Sequence, residues 1–452
     1  MAQSPSTSWA AGGRSRRTRG LLAAAITAGL VLRLAFALGY WVGKPLTLDE
    51  EEYLILARGI ADGRGFTYEV PGRPEPPRRH VGRAPLYPLF LAAVLKVAGS
   101  DGSGVTGRAA DAEAVSTGGR AAPVPERAIV SARIAQAFVG AVGVWLIGIL
   151  AARAAGPVAG VMAAGLSAVY PPLVWICAYL LSETLYSVLA LGSALLLDVA
   201  LDRATTRRRA VVLAAGVIAG LATLARPAML FFLVLASLFL LVRRQAAFAV
   251  LLLAGAVLVV SPWTVRNARE YGRFVLVASE GGVTFWVGNH PLARGEGDMA
   301  ANPAIKRDSL ALEARFPDLT AEQLEPVYYR EALGYLASHP LEWMGLLACK
   351  AFYAVVPIGP SYRLHSGRYF LASLLSYGVV LPFAVAGFLR LRRLPSQPRA
   401  LWLLAVSALL VALVFFPQER FRIPVIDPTL IVGAAAWWAL CRRPTTALEA
   451  GR

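Results

Sequence analysis

The sequence predicts an all-α protein that crosses a membrane about ten to twelve times, and three observations carry that reading. Of 452 residues, 57% are hydrophobic and only 16% are charged, where a soluble domain carries about 25%. Several segments run about 17–22 residues almost without charge, the length a helix needs to cross about 30 Å of hydrocarbon. The basic residues gather in short gaps between those segments: "RSRRTR" at 14–19, "RRR" at 207–209, "RR" at 243–244, "RLRR" at 390–393 and "RR" at 442–443. This placement reads the net charge of +17 as a positive-inside signal that sets orientation. It argues against a nucleic-acid partner.

Residues 1–19 form a basic N-terminus, expected in the cytoplasm. The apolar run at 20–42 follows it as in a signal peptide, but it is too long and lacks an A-x-A cleavage site, so it reads as a retained first span. Residues 43–130 make a first outer loop. Within it, "PLYPLFLAAVLKVAG" (85–99) is too short to span and reads as an interfacial helix. The stretch "GSDGSGVTGRAADAEAVSTGGRAAPVPER" reads as a flexible insertion. Runs at about 131–153, 157–176, 179–200, 209–225, 228–243 and 246–265 make 131–266 a transmembrane block.

A second outer loop, 267–339, has structure of its own. "FVLVAS" and "VTFWVG" about Gly281 and Gly282 predict a small hairpin. "TAEQLEPVYYREALGYLASHP" opens on a Thr-x-x-Gln capping box and stops at Pro340, which predicts a helix. Residues 340–441 hold an apolar run at 340–358 and spans at 369–389, 400–416 and 424–441. Counting 340–358 as a crossing would put "RLRR" outside. As an interfacial or re-entrant helix it leaves both termini cytoplasmic, with 442–452 a cytoplasmic tail.

This topology leaves only Asp198, Asp202 and Glu449 among the acids on the cytoplasmic side, so the chemistry is expected on the extracytoplasmic face. The densest acid cluster, Asp49 to Glu52 in "KPLTLDEEEYLILARGIADGRGF", follows the first span directly. Thr47-x-x-Glu50 is a capping box, and a helix N-terminus favours negative charge. Tyr53, Leu56, Ala57 and Ile60 then recur at helical spacing. Capping alone accounts for one or two of the four acids. Arg83 in "GRAPLYPLF", Glu183 in "LSETLYS", Arg226 in "LARPAML", Arg266 and Arg269 in "SPWTVRNAREYGRF", and Glu419, Arg420 and Arg422 in "PQERFRIPVID" all fall at outer helix ends. Each arginine alone could be snorkelling to lipid headgroups. As a set with carboxylates on one face, they fit a site that handles an anionic lipid and moves a proton.

These stretches occur in an order that resembles the GT-C superfamily of integral-membrane glycosyltransferases, in its protein-mannosyltransferase and lipid A aminoarabinose-transferase-like branch. "LDEEEYLILARGIADGRGF", "RAPLYPLFLAAVLK", "LSETLYSVLAL", "GLATLARPAML", "SPWTVRNAREYGRFVLVASEGGVTFWVGNHP" and "ERFRIPVIDP" carry the resemblance, from about residue 20 to 440. It implies a GT-C-like fold, a sugar donor on a polyprenyl phosphate, a protein, lipid or glycan acceptor, and a single inverting displacement. The catalytic carboxylate it implies falls on Asp49, with Glu50 the adjacent alternative because three glutamates follow the aspartate. Arg83 corresponds to the basic residue that meets the donor phosphate, Glu183 to the "SET" acid and Arg420 to the arginine of "ER-x-R-x-P".

Arg226 and Arg266 are further candidates for substrate binding, and Asn289 and His290 could orient hydroxyls. Trp286 could stack on sugar or belong to an interfacial aromatic belt. His80 and His290 with nearby acids could take a divalent cation, but no ligand spacing supports one. Cys177, Cys349 and Cys441 give neither a disulfide framework nor metal spacing. A secondary transporter is the main alternative, with a polyprenyl-linked glycan flippase or polymerase a second. Transporters place ionisable groups near the midplane of two related halves. Here the charges gather at one face, the halves do not match, and no Gly-rich βαβ unit would hold a nucleotide sugar.

Overall fold

The computed structural model describes residues 13–69, 82–99, 126–297, 299, 301–360, 366–394 and 396–442. Residues 1–12, His80, most of the glycine-rich insertion and the tail beyond Arg442 lie outside the described residues. Among the described residues every regular element is helical. The first helix, α1 (Gly13–Ala35), continues through one π turn, Phe36–Tyr40. Two short helices follow, α2 (Leu48–Ala61) and α3 (Leu86–Val97). The next group is α4 (Glu126–Ala155), α5 (Pro157–Val169), α6 (Pro171–Trp175), α7 (Glu183–Leu201), α8 (Arg208–Ala225), α9 (Met229–Val242) and α10 (Ala246–Tyr271). Residues 267–339 hold the end of α10 and then α11 (Gly281–Gly288), α12 (Pro303–Ala314) and α13 (Ala321–Ser338). The chain ends in α14 (Pro340–Val355), α15 (Gly367–Leu391), α16 (Arg399–Val414), the single turn α17 (Glu419–Arg422) and α18 (Ile426–Cys441).

Among the described residues six helices are long and apolar enough to cross a membrane: Arg16–Tyr40, Glu126–Ala155, Glu183–Leu201, Arg208–Ala225, Ala246–Tyr271 and Gly367–Leu391. The other runs read as spans form shorter apolar helices, α5, α9, α16 and α18. Proline explains some of the shortening. Pro157 and Pro171 each sit in the first turn of a helix, and a proline ring disfavours helix in the residue before it. The run at 85–99 is α3, a helix of 12 residues that packs on α2. The run at 340–358 is α14, outside the six long helices, with an exposed surface on which Lys350 alone is fully buried.

The main core joins α4 to α10, α15, α16 and α18. α4 lies at its centre and packs on α1, α5, α7 and α18. Lipid supplies no hydrophobic force between spanning helices, so close backbone approach replaces it. At the α8–α10 crossing a Cβ on Gly216 would lie 2.2 Å from the Leu252 carbonyl oxygen. Gly216→Val should therefore push the two helices apart at a cost of about 1–3 kcal/mol. A melt of the detergent-solubilised protein checks this, and an unchanged midpoint would refute the close contact.

The expected hairpin at 274–288 is not formed. "VTFWVG" lies within α11, and Gly281–Gly282 open that helix instead of turning a strand. The reason is packing. A Cβ on Gly282 would come within 2.6 Å of the Glu325 carbonyl oxygen, and the Gly282 N–H donates to Glu325 Oε1 at 2.9 Å. The glycine pair admits α13 rather than reversing the chain. α13 itself opens on the expected capping box, with Thr320 N–H donating to Gln323 Oε1 at 3.0 Å.

Candidate active site

The site is built on the first turn of α2. Thr47 caps the helix, and the Glu50 carboxylate accepts from the Thr47 N–H at 2.8 Å and hydroxyl at 2.9 Å. Its other oxygen accepts from the Leu180 N–H at 2.8 Å, tying α2 to the chain between α6 and α7. Glu50 is 1% exposed, so both of its oxygens serve the fold. Glu50→Ala should cost about 1–3 kcal/mol through the lost cap and a stranded buried N–H. It should lower the melting midpoint while the folded fraction keeps most of its turnover. Lost turnover at an unchanged midpoint would reverse that assignment.

Asp49, one residue earlier, points the other way. Its Oδ1 accepts from Arg83 Nη2 at 2.5 Å, and its Oδ2 accepts from Arg420 Nη1. The two arginines lie 34 and 371 residues from it along the chain. Burial pushes the Asp49 carboxyl up, but Arg420 and Arg83 together outweigh it and hold the group well below the usual carboxylate range. A depressed carboxyl stabilises the fold above its unfolded value near about pH 3.9 and loses that contribution as pH falls toward the folded one. The clamp should therefore be intact at pH 5.

Arg83 is held by more than Asp49. Its Nε donates to Glu52 Oε2 at 2.8 Å, its Nη1 reaches Glu280 Oε2 at 3.4 Å, and its guanidinium lies 5.2 Å from the Tyr53 ring centroid. Its backbone N–H donates to the Tyr68 hydroxyl at 2.9 Å. Burial works against the charge, but Glu280, Tyr53, Asp49 and Glu52 favour it and raise the Arg83 pKa. Three carboxylates thus surround one guanidinium, and Arg420 adds the second cation.

Glu183 and Arg226 form a neighbouring pair at 2.6 Å, with Glu183 buried at the start of α7. It joins the Asp49 cluster through Ser182, which accepts from both Tyr53 and Arg226 at 3.4 Å. The Phe421 ring also faces both Arg226 and Arg420, at 4.8 and 5.3 Å.

Arg266 stands apart, its guanidinium against Trp263 at 4.8 Å and Tyr271 at 5.2 Å, with a hydrogen bond to the Tyr271 hydroxyl at 2.9 Å. Asn289 caps the C-terminus of α11. Its amide nitrogen donates to the Phe285 and Val414 carbonyls at 2.8 and 3.0 Å, and its oxygen accepts from Lys350 Nζ at 2.8 Å. Those bonds brace α11, α14 and the end of α16. His290 packs on Trp286 and lies 3.5 Å from Asp308. Trp286 is buried in the second-loop core with Tyr328 and Leu312. Among the described residues no group of three histidine, cysteine or acidic side chains could hold a metal ion.

Two contributors escaped the sequence. Glu280 reaches Arg83 from the residue before α11, and its signal was an acid beside Gly281–Gly282 in a stretch that read as a hairpin. Lys350 lies on the apolar helix α14, where nothing in the spacing pairs it with Asn289.

This helical architecture defines a class, a multi-pass helical membrane protein, and its fold is that of a solved membrane oligosaccharyltransferase. The chain is similar to a structure of the archaeal oligosaccharyltransferase AglB from Archaeoglobus fulgidus in complex with an inhibitory peptide and a dolichol-phosphate. The TM-score is 0.57 at 15% identity, covering 97% of this chain and 52% of that one. The apo form of the same enzyme gives a TM-score of 0.57 at 15% identity, covering 96% and 52%. ArnT from Cupriavidus metallidurans bound to undecaprenyl phosphate gives 0.42 at 14% identity, covering 95% and 79%. The chain spans about half the length of AglB, and the likeness establishes the fold. No family model and no curated protein matches the sequence.

Proposed function

We propose that the chain is a membrane glycosyltransferase that moves a sugar from a polyprenyl-phosphate donor to an acceptor hydroxyl at the extracytoplasmic face. The observation that carries this reading is Asp49, placed between Arg83 and Arg420 from distant parts of the chain. Glycosyl transfer from a phospholipid needs just such parts. The acceptor oxygen attacks the anomeric carbon as the bond from that carbon to the phosphate oxygen breaks. The acceptor proton passes to Asp49, and the departing polyprenyl phosphate takes the bonding electrons. Arg420, Arg83 and the nearby Arg226 stabilise the charge that grows on it. Attack opposite the leaving group inverts the anomeric centre. Arg266 lies on the flank of this group, where its aromatic surround suits a prenyl chain or sugar face better than the reacting phosphate. The fold shared with AglB, a structure that contains a dolichol-phosphate, supports the donor class.

Both termini are placed in the cytoplasm on the positive-inside pattern. Mass spectrometry of the cell envelope with and without the intact gene tests the reading. Loss of one hexose or pentose mass from a protein, lipid or glycan is expected. An unchanged envelope glycan profile would count against it. A transporter or flippase would leave the donor intact when purified protein and polyprenyl-phosphate-sugar are mixed, whereas the proposed enzyme frees carrier phosphate.

A further inference from the structure

Both oxygens of Asp49 accept from guanidinium groups. A carboxylate in that state is a poor proton acceptor, because the arginines favour its charged form. A second feature is asymmetric. Arg83 is tied to Glu52 at 2.7 Å and Glu280 at 3.3 Å as well as to Asp49. Arg420 pairs with Asp49 alone among the carboxylates of the described ion pairs, and its remaining hydrogen bond goes to Gln418 Oε1 at 3.0 Å. Arg420 is also the more exposed arm, at 34% against 16% for Arg83, and it projects from the single turn α17.

We propose that the donor phosphate draws Arg420 off Asp49 while Arg83 stays anchored, so that the base is released only when the donor is bound. This rests on the glycosyltransferase reading above and adds an order of events to it. A phosphate offers arginine two or three strong acceptor oxygens, so it competes with a carboxylate for the same planar fork. Glu52 and Glu280 hold Arg83 against that competition. Among the described ion pairs Arg420 has no second carboxylate to hold it.

The charges then balance through the step. When Arg420 moves to the phosphate, one oxygen of Asp49 opens toward the acceptor. As the anomeric bond breaks, the phosphate gains a charge and Asp49 gains the acceptor proton, so the cluster's total charge does not rise. The donor must therefore bind before the acceptor can be activated.

Binding of undecaprenyl phosphate to purified protein in nanodiscs tests this directly. Asp49→Asn removes the internal competitor, and it should bind the lipid phosphate about tenfold more tightly than the parent. In an Arg420→Ala background the same change should alter affinity less than about twofold, whereas in an Arg83→Ala background the gain should persist. Asp49→Ala, monitored by the same melt, covers failure of the asparagine variant to fold. Equal or weaker binding by both Asp49 variants would overturn the release mechanism while leaving the glycosyltransferase reading standing. Absence of lipid-phosphate binding by every form, the parent included, would overturn both.

Discussion

Asp49→Asn is expected to fold, to melt below the parent because the stability from the depressed carboxyl is lost, and to turn over at least about a hundredfold more slowly in its folded fraction, because a positioned general base is worth about 10²–10⁴ in rate. The substitution keeps shape and hydrogen-bonding capacity and removes only basicity and charge. Arg83 retains Glu52 and Glu280 when the carboxylate goes, so the turn that carries the site should not collapse. Glu50 continues to cap α2 through Thr47 and Leu180. Kinetics on the solubilised protein, beside a melt, separate the two effects. Turnover within a few-fold of the parent would remove Asp49 from the chemistry.

Arg83→Ala is expected to cost activity by a similar or greater factor, and stability as well. Arg83 pairs with Asp49, Glu52 and Glu280 together. Its loss takes from all three carboxylates, in a part-buried space, the guanidinium they share. Removing one electrostatic stabiliser of a transition state typically costs about 10²–10³ in kcat, and the stranded acids add a folding penalty. Arg83→Lys should recover little. An ammonium cannot span several carboxylates as a planar fork does, and it fits less well over the Tyr53 ring. A lysine variant with near-parental activity would show that Arg83 supplies charge alone.

Much of this was legible in the sequence, unevenly and for physical reasons. The spanning class followed from length and charge placement, because hydrocarbon imposes both on any chain that crosses it. The start of α2 was legible from Thr47-x-x-Glu50, a local pattern with a local cause. The same local rule could not show that the Glu50 carboxylate also reaches the Leu180 N–H, since that contact depends on how α2 lies against the chain before α7. Asp49, Arg83 and Arg420 were each visible as charges at helix ends, but their convergence across hundreds of residues is tertiary and came only with the ordered motifs. Glu280 was missed because β-rich flanks about Gly281–Gly282 mimic a hairpin, while α13 exploits the same glycines for contact. Asn289 looked like a free polar group. Lys350 on α14 and the end of α16 occupy it.

The most direct test supplies parent and Asp49→Asn protein, in nanodiscs, with a polyprenyl-phosphate-linked sugar and an acceptor-containing envelope extract, and follows release of the carrier phosphate. Steady release by the parent, cut at least about a hundredfold in the variant, is the predicted result. Release at equal rates from both, or none from either, would contradict the account.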